Sequence, residues 1–220
     1  MTSRCILFDL DGTLADTAPD LHYAIEQLQL SLGLTPTPFA QVRPAVSHGS
    51  QAILEATLGL TPQDPDFTPL QRRFLALYEA NIAHRTRLFP GMQTLLGELE
   101  QRAVPWGVVT NKPARLTEPL MEQLGLARRA VCLVSGDTTP HPKPHPEPIL
   151  HACRLAGALP ARTLYVGDAQ RDIEAGRRAG THTLVALFGY LDPADRPHEW
   201  QADGYIHRPE EILPWLDRLS

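Results

Sequence analysis

Two aspartates one residue apart, Asp9 and Asp11, follow the short apolar run Cys5–Phe8 and lead into Gly12 and Thr13. Like charges delivered together to a strand end do nothing for a scaffold. They make chemical sense where a divalent cation and a phosphoryl group share the space. Alternate positions of an extended chain face the same way, so both carboxylates are expected at one reacting atom. The plain alternative is an Asp-Gly turn with solvated carboxylates.

Three further segments carry groups of matching chemistry. The run Trp106–Val109 ends in Thr110-Asn111-Lys112-Pro113. A hydroxyl there, ahead of a helix start, can donate to an anionic oxygen, although Thr in this place is also a common helix cap. Lys143 stands between Pro142 and Pro144, which restrict the backbone on both sides and hold the stem where an ammonium could meet a phosphate. The run Leu164–Val166 leads to Gly167-Asp168, with Asp172 four residues on. That spacing sets both acids on one face of a helix start, where they can also merely offset the helix dipole. Ligands of open α/β sheets bind outside the carboxyl ends of the strands, and these groups all end there. Hard carboxylate oxygens of this kind favour Mg²⁺, completed by water and substrate phosphate. His141 and His145 read as polar loop residues, not as metal ligands.

The elements that must position these groups are legible in outline. Apolar runs Cys5–Phe8, Trp106–Val109, Val131–Val134, Leu164–Val166 and Leu184–Leu187 alternate with helix-patterned segments. Runs this short and rich in Val, Leu and Ile predict an α/β fold, a doubly wound, Rossmann-like parallel sheet covered on both faces. Met92, Leu95, Leu96 and Leu99 mark one helix face, and Ile212, Leu213, Leu216 and Leu219 mark the last helix. The long stretch from Phe8 to Trp106 exceeds what a simple crossover needs. Stripes at Leu21, Ile25, Leu28 and Leu32, and at Leu70, Phe74, Leu77 or Tyr78, and Ile82, make much of it helical. Residues 16–88 are therefore expected to form an inserted α-helical domain, with residues 1–15 and 89–220 as the α/β core; a long crossover within one domain is the alternative.

Composition narrows the partners. Net charge is −5 without a lysine- or arginine-rich cluster, so a nucleic-acid partner is not expected. No apolar stretch is long enough to span a bilayer, and the first apolar run is short and ends in acid, unlike a signal peptide. Cys5, Cys132 and Cys153 lie far apart in apolar segments, which points to core residues of a reduced cytoplasmic protein. Oligomeric state leaves no trace in the pattern.

Taken together, Asp9-x-Asp11-Gly12-Thr13, Thr110, Lys143-Pro144 and Gly167-Asp168-x-x-x-Asp172 resemble the four motifs of the haloacid dehalogenase superfamily, in the same order and over essentially the whole chain. The resemblance is to its phosphatases with a helical cap inserted after the first strand. It implies a Mg²⁺-dependent phosphomonoester hydrolase in which Asp9 forms an aspartyl-phosphate and Asp11 moves protons. Thr110 and Lys143 would hold phosphate oxygens. Asp9, the backbone carbonyl of Asp11, and Asp168 would bind the metal, with Asp172 as a further ligand or an orienting group. Phosphate-side candidates are Thr13, Thr110, Asn111 and Lys143, and cap-side candidates are Arg43, Ser47 and His48. A phosphosugar mutase shares the same motifs. A receiver-like protein fits the motif order and the insertion less well, and a non-catalytic phosphate-binding protein would not need the full set of catalytic side chains that is present. Broadly the chain looks like phosphoglycolate phosphatases. The segments Trp106–Pro113, Lys143–Pro148 and Gly189-Tyr190 on to Trp200 and Asp203 look closer to a branch acting on N-acetylmuramic acid 6-phosphate. Both substrates are small carboxylate-bearing phosphate esters, so a cationic cap residue fits either.

Overall fold

In a computed structural model, residues 4–219 are described. The chain begins with β1 (Cys5–Phe8), all four residues buried, and a two-residue strand β2 (Ala15–Asp16). Helices α1 (Ala18–Ser31), α2 (Phe39–Val42), α3 (Gly49–Leu58) and α4 (Phe67–Glu79) follow, with a 3₁₀ turn at Arg43–His48, before the return strand β3 (Arg87–Leu88). Then come α5 (Met92–Gln101), β4 (Trp106–Val109), α6 (Ala114–Gln123), β5 (Leu133–Val134), α7 (Glu147–Leu155), β6 (Thr163–Gly167), α8 (Gln170–Ala179), β7 (His182–Ala186), β8 (Gly204–Ile206) and α9 (Ile212–Arg218).

Six strands form one parallel sheet in the order β5-β4-β1-β6-β7-β8, with Ile6 opposite both Trp106 and Leu164. The order reverses at β1, so the crevice between the carboxyl ends of β1, β4 and β6 is where a ligand of this architecture belongs. Side chains of β1 alternate between the two faces. Ile6 and Phe8 pack with Leu95 and Leu96 of α5, Leu120 of α6 and Leu216 of α9. Cys5 and Leu7 pack with Ile149 and Cys153 of α7 and Ala175 of α8. Helices thus cover both faces, as the apolar runs require. The three cysteines are free and buried, and burial pushes each thiol above its ordinary pKa.

Several boundaries differ from the pattern. The run expected at Val131–Val134 shortens to Leu133–Val134 because β5 lies at the sheet edge, where Val131 is 44% exposed. Strand β7 starts earlier than its apolar run, at His182, since Thr183 pairs with Tyr165. Strand β8 lies outside the five apolar runs. Its Gly204 is required by packing, because a Cβ there would come within 2.1 Å of the Trp215 ring. In the helical stretch, Leu21, Ile25 and Leu28 are buried as the stripe predicts, but Leu32 lies past the end of α1 and is exposed. Tyr78, not Leu77, is the fully buried residue of its pair.

The helical stretch enters and leaves through a single ribbon. Strands β2 and β3 pair antiparallel, Ala15 with Leu88 and Asp16 with Arg87. The buried Asp20 carboxylate, on the first turn of α1, closes that gate. It accepts hydrogen bonds from the N–H groups of Arg85 (2.8 Å) and Thr86 (2.9 Å) and from the Thr86 hydroxyl (2.7 Å). Apolar packing is continuous from the sheet through this block, with Ile25, Leu54 and Phe74 in the same cluster as Phe8 and Val166. Removing the Asp20 carboxylate strands two backbone donors. Asp20→Ala is expected to lower the unfolding free energy by about 2–3 kcal/mol in urea titrations, and Asp20→Asn by less. An unchanged midpoint for the alanine variant would refute this account of the gate.

Candidate active site

Each chemical group hangs from the end of a strand. Asp9 continues β1, its N–H bonded to Val166 O at 2.8 Å, and the residue is buried. The chain then coils back, with Leu14 and Ala15 N–H both bonding to Leu10 O. Gly12 sits in that coil at φ +85°, and a Cβ on it would lie 2.1 Å from an Asp168 oxygen. Only glycine meets both demands. Asp168 follows β6, and Asp172 sits on the first turn of α8, where one of its oxygens accepts the Ala169 N–H at 3.0 Å.

Oxygens of Asp9, Asp168 and Asp172 lie within 4.8 Å of one another, all three residues buried. A single ammonium offsets them. Lys143 Nζ is 2.7 Å from Asp172 Oδ1 and 2.9 Å from Asp9 Oδ1, and it donates to Val109 O (2.9 Å) and the Tyr165 hydroxyl (2.8 Å). The Asp9 oxygen is close to Lys143 yet receives no directed hydrogen bond. Burial pushes the Asp9 carboxyl up to about 6, with Asp172 adding to the rise and Lys143 opposing it. Burial, then the charges of Asp9 and Asp172, push Asp168 up to about 7. Asp172 goes the other way: burial raises it, but Lys143, then Arg171, outweigh burial and hold it below the usual carboxylate range. A buried trio of acids with one ammonium in contact and one orphaned oxygen fits a divalent cation by charge and donor type.

The remaining Asp168 contacts fix it from three directions. Thr13 donates to Oδ1 at 3.4 Å, while Ser47 Oγ (2.6 Å) and Tyr190 N–H (2.9 Å) donate to Oδ2. Thr13 and Ser47, candidates for substrate contact, therefore spend their hydroxyls on this acid. Asn111 is also engaged. Its amide accepts the Lys143 N–H at 3.0 Å and donates to Lys143 O at 2.9 Å, which clamps the loop that delivers the lysine.

Asp11 stands apart from the trio. Its Oδ1 lies 2.9 Å from Lys112 Nζ and accepts the Thr17 hydroxyl at 2.5 Å. The two acids of the opening motif thus have different partners, since β1 ends at Phe8 and the loop after it turns them apart. Lys112 also lies 4.6 Å from the centre of the Tyr78 ring. Burial lowers its pKa, but Asp11 and Tyr78 outweigh that and the net shift is upward.

Asp9, Asp11, Thr110, Asn111 and His48 all line one cavity of about 440 Å³ between the strand ends and the helical block. Thr110 is 3% exposed; its hydroxyl accepts the Lys112 N–H at 3.1 Å and donates to no acceptor among the described residues. Leu21, Val46, Ile53, Leu75 and Leu116 give the cavity an apolar wall. Arg43, expected to reach a substrate anion, does not line it. Its guanidinium stacks 4.7 Å over the Tyr190 ring and donates to Phe188 O at 3.5 Å, because its 3₁₀ turn packs on the loop after β7. Sequence reasoning passed over Lys112, Tyr165, Arg171 and the bonding role of Tyr190. Lys112 and Arg171 had a signal, since each stands inside a motif segment. The two tyrosines sit in apolar surroundings that conceal their hydroxyls.

The family profile described as haloacid dehalogenase-like hydrolase matches residues 6–186. N-acetylmuramic acid 6-phosphate phosphatase of Pseudomonas aeruginosa is 43% identical over 218 residues, covering 99% of this chain and 96% of the relative. A phosphoglycolate phosphatase of Xanthomonas campestris is 41% identical over 212 residues, covering 95% and 94%. A crystal structure of a predicted phosphoglycolate phosphatase from Haemophilus somnus superposes with a TM-score of 0.85 at 27% identity, covering 98% of each chain. The chain belongs to the haloacid dehalogenase-like hydrolase family.

Proposed function

We propose that this phosphatase hydrolyses N-acetylmuramic acid 6-phosphate through a covalent phosphoryl intermediate on Asp9, with 2-phosphoglycolate as a poorer substrate. The observation that carries the choice is the cavity of about 440 Å³ with its apolar wall. A volume of that order suits a sugar-sized ligand, and a two-carbon ester would leave most of it unfilled. Relatives bearing the two substrate names are about equally similar to the chain, so similarity alone does not choose between them.

In this reading the Asp9 carboxylate attacks phosphorus, an Asp9–phosphorus bond forms, and the ester oxygen leaves with its electron pair. Asp11 protonates that oxygen, then accepts a proton from the water that attacks the phosphoryl group and frees Asp9. Lys143 holds Asp9 and Asp172 in place, and Thr110 offers its hydroxyl to a phosphoryl oxygen. Asp9, Asp168 and Asp172, with the Asp11 carbonyl, would hold Mg²⁺, which when bound would offset charge on the phosphoryl oxygens. Residues 16–88 act as a cap that turns on the β2–β3 ribbon and shuts bulk water from the cavity. Its closed position is supported by the Ser47–Asp168 hydrogen bond and by the Arg171 guanidinium donating to Ser47 O.

Two measurements test this. Phosphate release with Mg²⁺ should show a higher kcat/KM for N-acetylmuramic acid 6-phosphate than for 2-phosphoglycolate, and Asp9→Asn should lose roughly 10³-fold or more on either. A preference for 2-phosphoglycolate would defeat the narrower assignment, and full turnover by Asp9→Asn would defeat the nucleophile. The second measurement is thermal. Asp9 and Asp168 bind protons more tightly folded than unfolded, so protonation stabilises the metal-free fold in acid, and that contribution is lost as pH rises through about 6 to 7. Mg²⁺ needs the ionised acids. The rise in Tm on adding Mg²⁺ should therefore grow between about pH 5.5 and about pH 8. An increment independent of pH, or none at all, would count against the trio as the metal seat.

A further inference from the structure

With Arg43 turned onto Tyr190, a different arginine faces the cavity. Arg171 belongs to the first turn of α8, and its side chain lines the cavity together with Ser47, His48 and Gln51. One guanidinium nitrogen donates to the Ser47 carbonyl, but Nε is buried without a hydrogen-bond partner. Among the described residues, no carboxylate oxygen forms an ion pair with this guanidinium. Lys112, which lines the same cavity, is already paired with Asp11 at 2.9 Å. A half-buried guanidinium whose Nε is shut from water without a partner leaves a donor unmet, and its planar fork matches a carboxylate.

A second donor group lies beside it. Helix α3 starts at Gly49, and Gly49, Ser50 and Gln51 line the cavity. Its first turn has no side-chain cap and no acidic residue, so the positive end of the helix is left uncompensated there. Asp9, Asp11 and Thr110 take the phosphoryl group, and Arg171, whose charge also reaches Asp9 and Asp172, stands between those acids and Ser47 of the 3₁₀ turn.

We infer that Arg171, supported by the first turn of α3, binds the substrate's carboxylate and sets the preference for carboxylate-bearing esters. The inference rests on the phosphatase reading of the site but not on which of the two esters is preferred. An arginine that only offset the charge of Asp9, Asp168 and Asp172 would act on all substrates alike. The discriminating quantity is thus a ratio.

N-acetylglucosamine 6-phosphate lacks the lactyl carboxylate of N-acetylmuramic acid 6-phosphate, and ethyl phosphate lacks the carboxylate of 2-phosphoglycolate. The experiment measures kcat/KM for both pairs with the wild-type protein, Arg171→Met and Arg171→Lys, each checked for folding by its thermal transition. The expected result is that Arg171→Met lowers the carboxylate-over-neutral ratio roughly 10- to 100-fold, as loss of a charge-assisted hydrogen bond requires. Arg171→Lys should restore part of that ratio, and it keeps the test open if the methionine variant does not fold. An unchanged ratio, even with both activities lowered, overturns the inference, as does a wild-type protein that discriminates in neither pair. A wild-type preference for 2-phosphoglycolate over the amino sugar would instead fail the substrate assignment while leaving the Arg171 ratio readable.

Discussion

One buried ammonium holds the site together. Lys143 Nζ has three protons to give and four oxygens around it: Val109 O, the Tyr165 hydroxyl, Asp172 and Asp9. Asp172 gains most from this competition and is held below its usual pKa, while Asp9 and Asp168 are left to the cost of burial and rise. Three acids and one lysine away from water is an arrangement that packing alone does not explain, because burying charge without a partner is unfavourable. It is consistent with a protein kept for a charged ligand at the expense of stability at that spot.

Much else follows from keeping that lysine in register. Asn111 clamps its backbone from the strand-β4 side, and Tyr165 braces its tip from β6. The sheet order explains why those neighbours are available: β4 and β6 flank β1, so all three carboxyl ends open onto one crevice. Tyr190 extends the connection outward. Its N–H holds Asp168, its hydroxyl donates to Asp16 and accepts the Ala18 N–H, and its ring carries Arg43. One loop residue therefore touches the acidic trio, the entry linker and the helical block.

The fold was legible where burial imposes a period. Apolar runs ending in Asp9, Thr110 and Asp168 located the strands and the edge where chemistry gathers, since two-faced burial demands continuous apolar residues. Strand β8 escaped because Gly204-Tyr205-Ile206 offers too few apolar side chains, and its pairing with β7 is a long-range choice. The types of the site residues were legible, but their partners were not. Thr13, Ser47 and Asn111 looked like groups for a substrate, yet each contacts another site residue. Arg43 and Arg171 are indistinguishable as arginines in a string of letters. Only the packing of the 3₁₀ turn against Tyr190 and the opening of α8 onto the cavity tells them apart.

The ribbon of β2 and β3 carries a last consequence. Because both linkers pair with each other and are fastened by Asp20, the chain leaves the sheet and returns to it at one clasp, although apolar packing runs on from the sheet into the helices. A change among those helices therefore reaches the strand ends by two routes, the clasp and the hydrogen bond from Ser47 to Asp168.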